Sequence, residues 1–69
     1  MSNAELYAEE HRLVEKFQAK ARALRAADRK LSHAAALALA IQSLPNAARR
    51  YQETLWAMQA AGLRQTPLE

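Results

Sequence analysis

The chain has 69 residues, a net charge of +3 and a pI near 9.8. This length permits one small domain, which is marginally stable unless a disulfide, a bound metal or oligomerisation supports it. The absence of cysteine excludes a disulfide and a thiolate metal site and is typical of a cytoplasmic protein. A mean hydropathy of −0.37 and the lack of a long apolar run predict neither a membrane span nor a signal peptide. Abundant alanine and a single glycine predict an all-α fold.

The first predicted helix covers residues 4–27 and carries an apolar stripe with alternating spacings of four and three residues. Ser2 or Asn3 can cap its start. The spacing is that of the a and d positions of a coiled coil. The stripe consists of Leu6, Glu10, Leu13, Phe17, Lys20, Leu24 and Ala27. Its first six residues are predicted to form a helical seam with a second copy of the chain.

The two charged positions of the stripe predict the direction of that seam. An antiparallel pairing centred on Glu15 places Glu10 of one copy next to Lys20 of the other and packs Leu13 against Phe17. A parallel pairing would place like charges together. The prediction is therefore an antiparallel homodimer. An alternative remains open, because the other helices of the same chain could cover the stripe and leave Glu10 and Lys20 at its rim.

Two shorter helices are predicted in the second half of the chain. Ser32 is a suitable N-cap for a helix over residues 33–43. Pro45 ends that helix and can open the next, over residues 45–61, which Gly62 would terminate in left-handed geometry. We expect these two helices to form a hairpin on one side of the first helix, and residues 64–69 to form a frayed tail.

A second apolar face is predicted on the third helix. Tyr51, Leu55 and Met58 follow its inner side, and a separate face is turned away by about 100°. The residues of this separate face are Trp56, Ala60 and Leu63. We interpret it as a candidate surface for a partner protein, since a monomer rarely exposes so much apolar area.

No set of residues in the chain predicts catalysis. The three serines are explained as tail or helix-end residues, and one glycine cannot form a phosphate-binding loop. His11 and Glu15 are spaced for metal binding on one helix face, but two ligands do not make a metal site. We therefore expect a non-enzymatic protein without cofactor or metal.

Basic residues support an alternative function in DNA binding. Residues 16–30 contain six basic residues and one acidic residue, a distribution that the dipole of the first helix also favours. The second and third helices could form a helix-turn-helix with the third helix in the major groove. The candidate contacts are Arg22, Arg25, Arg29, Lys30, Arg49 and Arg50. This alternative requires all six to converge on one face.

Residues 31–51 resemble a helical motif of phage and prophage proteins, including the ends of head-maturation proteases and scaffold-like proteins. The matching residues are Leu31-Ser32, Ala36-Leu37, Pro45 and Ala48-Arg49-Arg50-Tyr51. Leu44 stands where that motif has asparagine. The resemblance implies a small accessory protein that acts through protein–protein contact and suggests no catalytic residue. The favoured prediction is thus a homodimeric interaction or assembly module in the cytoplasm.

Overall fold

The computed structural model describes residues 2–65, which form an all-α fold of three helices. Helix α1 spans Asn3–Ala27, α2 spans His33–Ser43 and α3 spans Pro45–Ala60. The predicted all-α class and long first helix are confirmed. Within the described range, no helix is long and apolar enough to cross a membrane. Most of the predicted tail at 64–69 lies outside the described residues. Its two described residues, Arg64 and Gln65, are non-helical and exposed.

Serine side chains start the first two helices. The Ser2 hydroxyl accepts a hydrogen bond from the Glu5 amide at 3.2 Å, and the Glu5 carboxylate accepts one from the Ser2 amide at 3.2 Å. This reciprocal pair is a capping box, and its hydrogen bonds hold the pKa of Glu5 below its ordinary value. Ser32 caps α2 by accepting from the Ala35 amide at 3.1 Å. Both caps are local in sequence, which is why both helix starts were predictable.

Glycine ends α3 as predicted. Gly62 has a φ of +74°, a left-handed conformation that suits glycine. The Gly62 amide donates to the Gln59 carbonyl at 3.0 Å, and the Leu63 amide donates to the Met58 carbonyl at 2.9 Å. These two bonds make a Schellman motif. They also fix Leu63 against the last turn of α3.

Helix α3 runs antiparallel to α1. Near its start, Arg50 lies within 2.9 Å of Glu9, and near its end Ala57 and Ala60 line one depression with Leu6. Both shorter helices pack on α1, and the non-helical residue Leu44 alone separates α2 from α3. The length of α1, about 38 Å at 1.5 Å per residue, accounts for the 39 Å long axis of the molecule.

The core lies between α1 and the two shorter helices. Phe17 is fully buried and contacts the Tyr51 ring edge to face, with 5.5 Å between ring centroids. Alanines allow α1 and α2 to approach closely, because Ala21, Ala36 and Ala40 are all fully buried. The remaining buried apolar residues are Leu6, Leu13, Val14, Leu37, Ala47 and Met58.

Candidate interaction surfaces

The stripe on α1 is covered by the same chain. Leu6, Glu10, Leu13 and Phe17 are each no more than 4% exposed, and Leu24 is half-buried. The intrachain alternative therefore describes this structure. A seam made from these side chains would require α1 to leave α2 and α3. That the protein forms a homodimer stays a prediction.

Glu10 and Lys20 have different environments. The Glu10 side chain is fully buried near Tyr51, whereas Lys20 is exposed about 15 Å further along α1. Burial raises the pKa of the Tyr51 phenol, and the negative charge of Glu10 raises it further. Glu10 is consequently part of the interior, next to the Phe17–Tyr51 contact. It is not a rim residue.

The outer side of α3 carries an exposed tryptophan. Trp56 is 61% exposed and lies on the side opposite the buried residue Ala47. A groove of about 350 Å³ runs beside it, and we call its lining the Trp56 face. Its residues are Gln52, Leu55, Trp56, Met58, Gln59, Leu63 and Gln65, so none of the described lining residues is ionisable. The structure thus brings Trp56 and Leu63 together, while Ala60 lines the neighbouring depression with Leu6.

An ion-pair network joins the start of α3 to α1. The Glu9 carboxylate accepts hydrogen bonds from Arg12 Nη2 at 2.7 Å and Nε at 3.3 Å. Arg50 Nε lies 2.9 Å from the same carboxylate. These contacts, chiefly the hydrogen bonds from Arg12, hold the pKa of Glu9 below its ordinary value of 4.5. Sequence spacing gives no signal for the Glu9–Arg50 contact, because the two residues are distant in the chain.

Replacing Glu9 with glutamine should lower the free energy of unfolding by about 0.5–1 kcal/mol at pH 7, because both arginines are more than half exposed. A carboxyl whose pKa is lower in the folded state stabilises the fold above its unfolded pKa. The difference between the two proteins should therefore disappear as the pH falls below 4.5 through the lowered pKa. Urea unfolding at several pH values measures it.

Glu15→Gln is the matched control for this prediction, because Glu15 is 70% exposed and contacts only His11, at 3.5 Å, among the described residues. Its effect should be smaller at every pH. A loss of stability in Glu9→Gln that persists unchanged at acidic pH would contradict the assignment to the Glu9 carboxylate.

The six candidate DNA contacts do not converge. Arg49 and Arg50 line a groove of about 410 Å³ beside Leu6 and Glu9, near the start of α1. Arg22, Arg25 and Arg29 line a separate shallow depression at the end of α1, about 20 Å or more away. Lys30 is exposed in the connection to α2 and is not part of either lining. The helix-turn-helix interpretation required one basic face, and this requirement is not met.

The described residues do not include a group of three or more histidine, aspartate or glutamate side chains that could hold a metal ion. His11 and Glu15 face each other at 3.5 Å on the exposed side of α1, as their spacing predicted.

Comparisons with protein-family models, curated proteins and solved structures find no match to this chain. The physical properties of its surfaces therefore carry the functional argument.

Proposed function

We propose that this protein is a non-catalytic interaction module that forms a homodimer through the Trp56 face. The observation that carries this proposal is a tryptophan that is 61% exposed beside a groove without ionisable lining residues. Tryptophan is enriched at the energetic centres of interfaces, where it supplies a large apolar area. An assembly role in the cytoplasm agrees with the resemblance to phage and prophage accessory proteins.

A second copy is the partner that this surface fits best. In a two-fold symmetric interface, residues near the axis face their own counterparts, so a charged residue there meets its like. Gln52 and Gln59 avoid this repulsion, since an amide both donates and accepts hydrogen bonds and can pair with itself. A chain of 69 residues also gains the support that so small a core needs.

The test is the mass in solution, measured by light scattering over a range of protein concentrations. The wild type should reach twice 7.7 kDa. Trp56→Ala should weaken the dimer by about 2 kcal/mol or more, which is roughly a 30-fold rise in Kd. Its helical circular dichroism should be unchanged, because the side chain lies outside the core. Gln59→Glu should also weaken the dimer by placing like charges across the axis.

Tyr7→Ala is the matched control, because Tyr7 is an aromatic residue of α1 that is 43% exposed and lies outside the Trp56 face. It should dimerise as the wild type does. A wild type that stays monomeric at the highest accessible concentration would overturn the proposal. So would a Trp56→Ala variant with an unaltered dimer Kd.

A further inference from the structure

Three arginines converge at the end of α1. Arg22 and Arg25 lie on one side of α1, three residues apart, and Arg29 lies in the turn that follows the helix. Together with Ala26 they line one shallow depression, and all three are exposed. We call these three side chains the arginine face.

In the described part of the chain, no carboxylate forms an ion pair with the arginine face. Arg12 and Arg50 each contact Glu9, whereas the three guanidinium groups of this face have no hydrogen bond or ion pair with any of residues 2–65. The nearest acidic residue in sequence, Asp28, instead accepts a hydrogen bond from the Lys30 amide at 3.0 Å. Residues 29–52 contain neither aspartate nor glutamate, so α2 supplies no carboxylate.

The dipole of α1 explains the position of only one residue of the arginine face. Cations are favoured within the last turn of a helix, and Arg25 is the basic residue of that turn. Arg22 precedes the last turn, and Arg29 follows the end of the helix. Like charges at these spacings repel one another. A bound anion would remove this repulsion.

We propose that the arginine face binds the phosphate backbone of duplex nucleic acid. Guanidinium groups form paired hydrogen bonds with phosphate oxygens, and a duplex presents phosphates in a regular row. The other residue of the depression is Ala26, so the face has neither the large apolar side chains that enter a membrane surface nor the aromatic rings that stack on single strands. Contacts with the backbone alone give binding that is independent of base sequence.

The affinity for a duplex should fall with salt concentration by an amount that follows from the number of arginines. Each phosphate that a protein neutralises contributes about −0.9 to the slope of log K against log salt concentration. Three arginines per protein chain predict a slope of about −2.7. Two unrelated duplexes of equal length should bind with the same affinity within about twofold.

The experiment is a fluorescence anisotropy titration of a labelled DNA duplex with the full chain over a series of salt concentrations. The test variant replaces all three arginines of the arginine face with glutamine. The control variant removes the same charge from exposed positions elsewhere, with Lys16→Gln, Arg49→Gln and Arg64→Gln. Circular dichroism verifies that both variants fold as the wild type does.

The wild type should bind at low salt with the expected slope. The arginine-face variant should lose at least tenfold in affinity, and the control variant should stay within about threefold. Equal losses in both variants would overturn the proposal, because net charge alone would then explain binding. Absence of wild-type binding at low salt would overturn it too.

Anionic phospholipid vesicles are the second probe. Binding to vesicles of phosphatidylserine and phosphatidylcholine without binding to the duplex would assign the face to a membrane surface and contradict the proposal. The inference is independent of the proposed dimer, since Trp56→Ala leaves the arginine face intact. Each proposal can therefore fail while the other holds.

Discussion

Phe17→Ala should lower the free energy of unfolding by about 3–5 kcal/mol, the usual cost of removing a buried phenylalanine. Phe17 is fully buried and makes the edge-to-face contact with Tyr51 that joins α1 to α3. A natural domain of this length has about 3–10 kcal/mol of stability in total. The variant should therefore be largely unfolded at 25 °C. Urea and thermal unfolding followed by circular dichroism measure the loss.

Tyr7→Ala is the control for this experiment, because it removes an aromatic ring of α1 that is 43% exposed. Its cost should stay below about 1 kcal/mol. If the two variants lost equal stability, Phe17 would not lie in a packed core. That result would contradict the packing of α2 and α3 on α1.

Local features of the chain were predictable from the sequence. The caps at Ser2 and Ser32, the break at Pro45 and the end at Gly62 each depend on residues within a few positions of one another. Such signals act through short-range hydrogen bonds and backbone geometry. Helix bounds therefore agree closely with the structure.

The partner of the α1 stripe was not predictable from the sequence. A spacing of three and four residues states which side of a helix is buried, and it is the same for a second copy as for α2 and α3. The direction of α3 depends on distant contacts, such as Arg50 with Glu9. Since no local signal encodes such contacts, the sequence did not show whether the candidate basic residues converge, and the structure places them in separate regions.

The two candidate surfaces also combine features set by the local sequence with features set by distant parts of the chain. Trp56 and Leu63 were placed on one face by helical periodicity, and the Schellman motif at Gly62 explains how Leu63 stays there beyond the end of α3. The arginine face is also a local feature, because one helix positions Arg22 and Arg25. Its lack of an ion pair with a distant carboxylate depends on the path of the chain, which keeps Glu9 and Glu53 near the other end of α1.

Reversing the charge at Glu10 should be the other severe substitution. Glu10→Lys places an ammonium group in the interior beside Tyr51, and we expect it to cost about 3 kcal/mol or more. Lys20→Glu should cost less than about 0.5 kcal/mol, because Lys20 is exposed. The double variant should show the sum of the two losses, since the positions lie about 15 Å apart along α1. Urea unfolding of the three variants measures this.

The seam between two copies predicts the opposite pattern. In that arrangement Lys20→Glu alone would weaken the dimer, and adding Glu10→Lys would restore it. Light scattering and urea unfolding measure the double variant. If it recovered the dimer and the stability of the wild type, that result would contradict the burial of Glu10 within one chain. Glu10→Gln keeps the test decisive if Glu10→Lys fails to fold, because it keeps the size of the side chain and removes its charge. In the seam it would relieve the repulsion that Lys20→Glu creates, whereas within one chain the two losses should add.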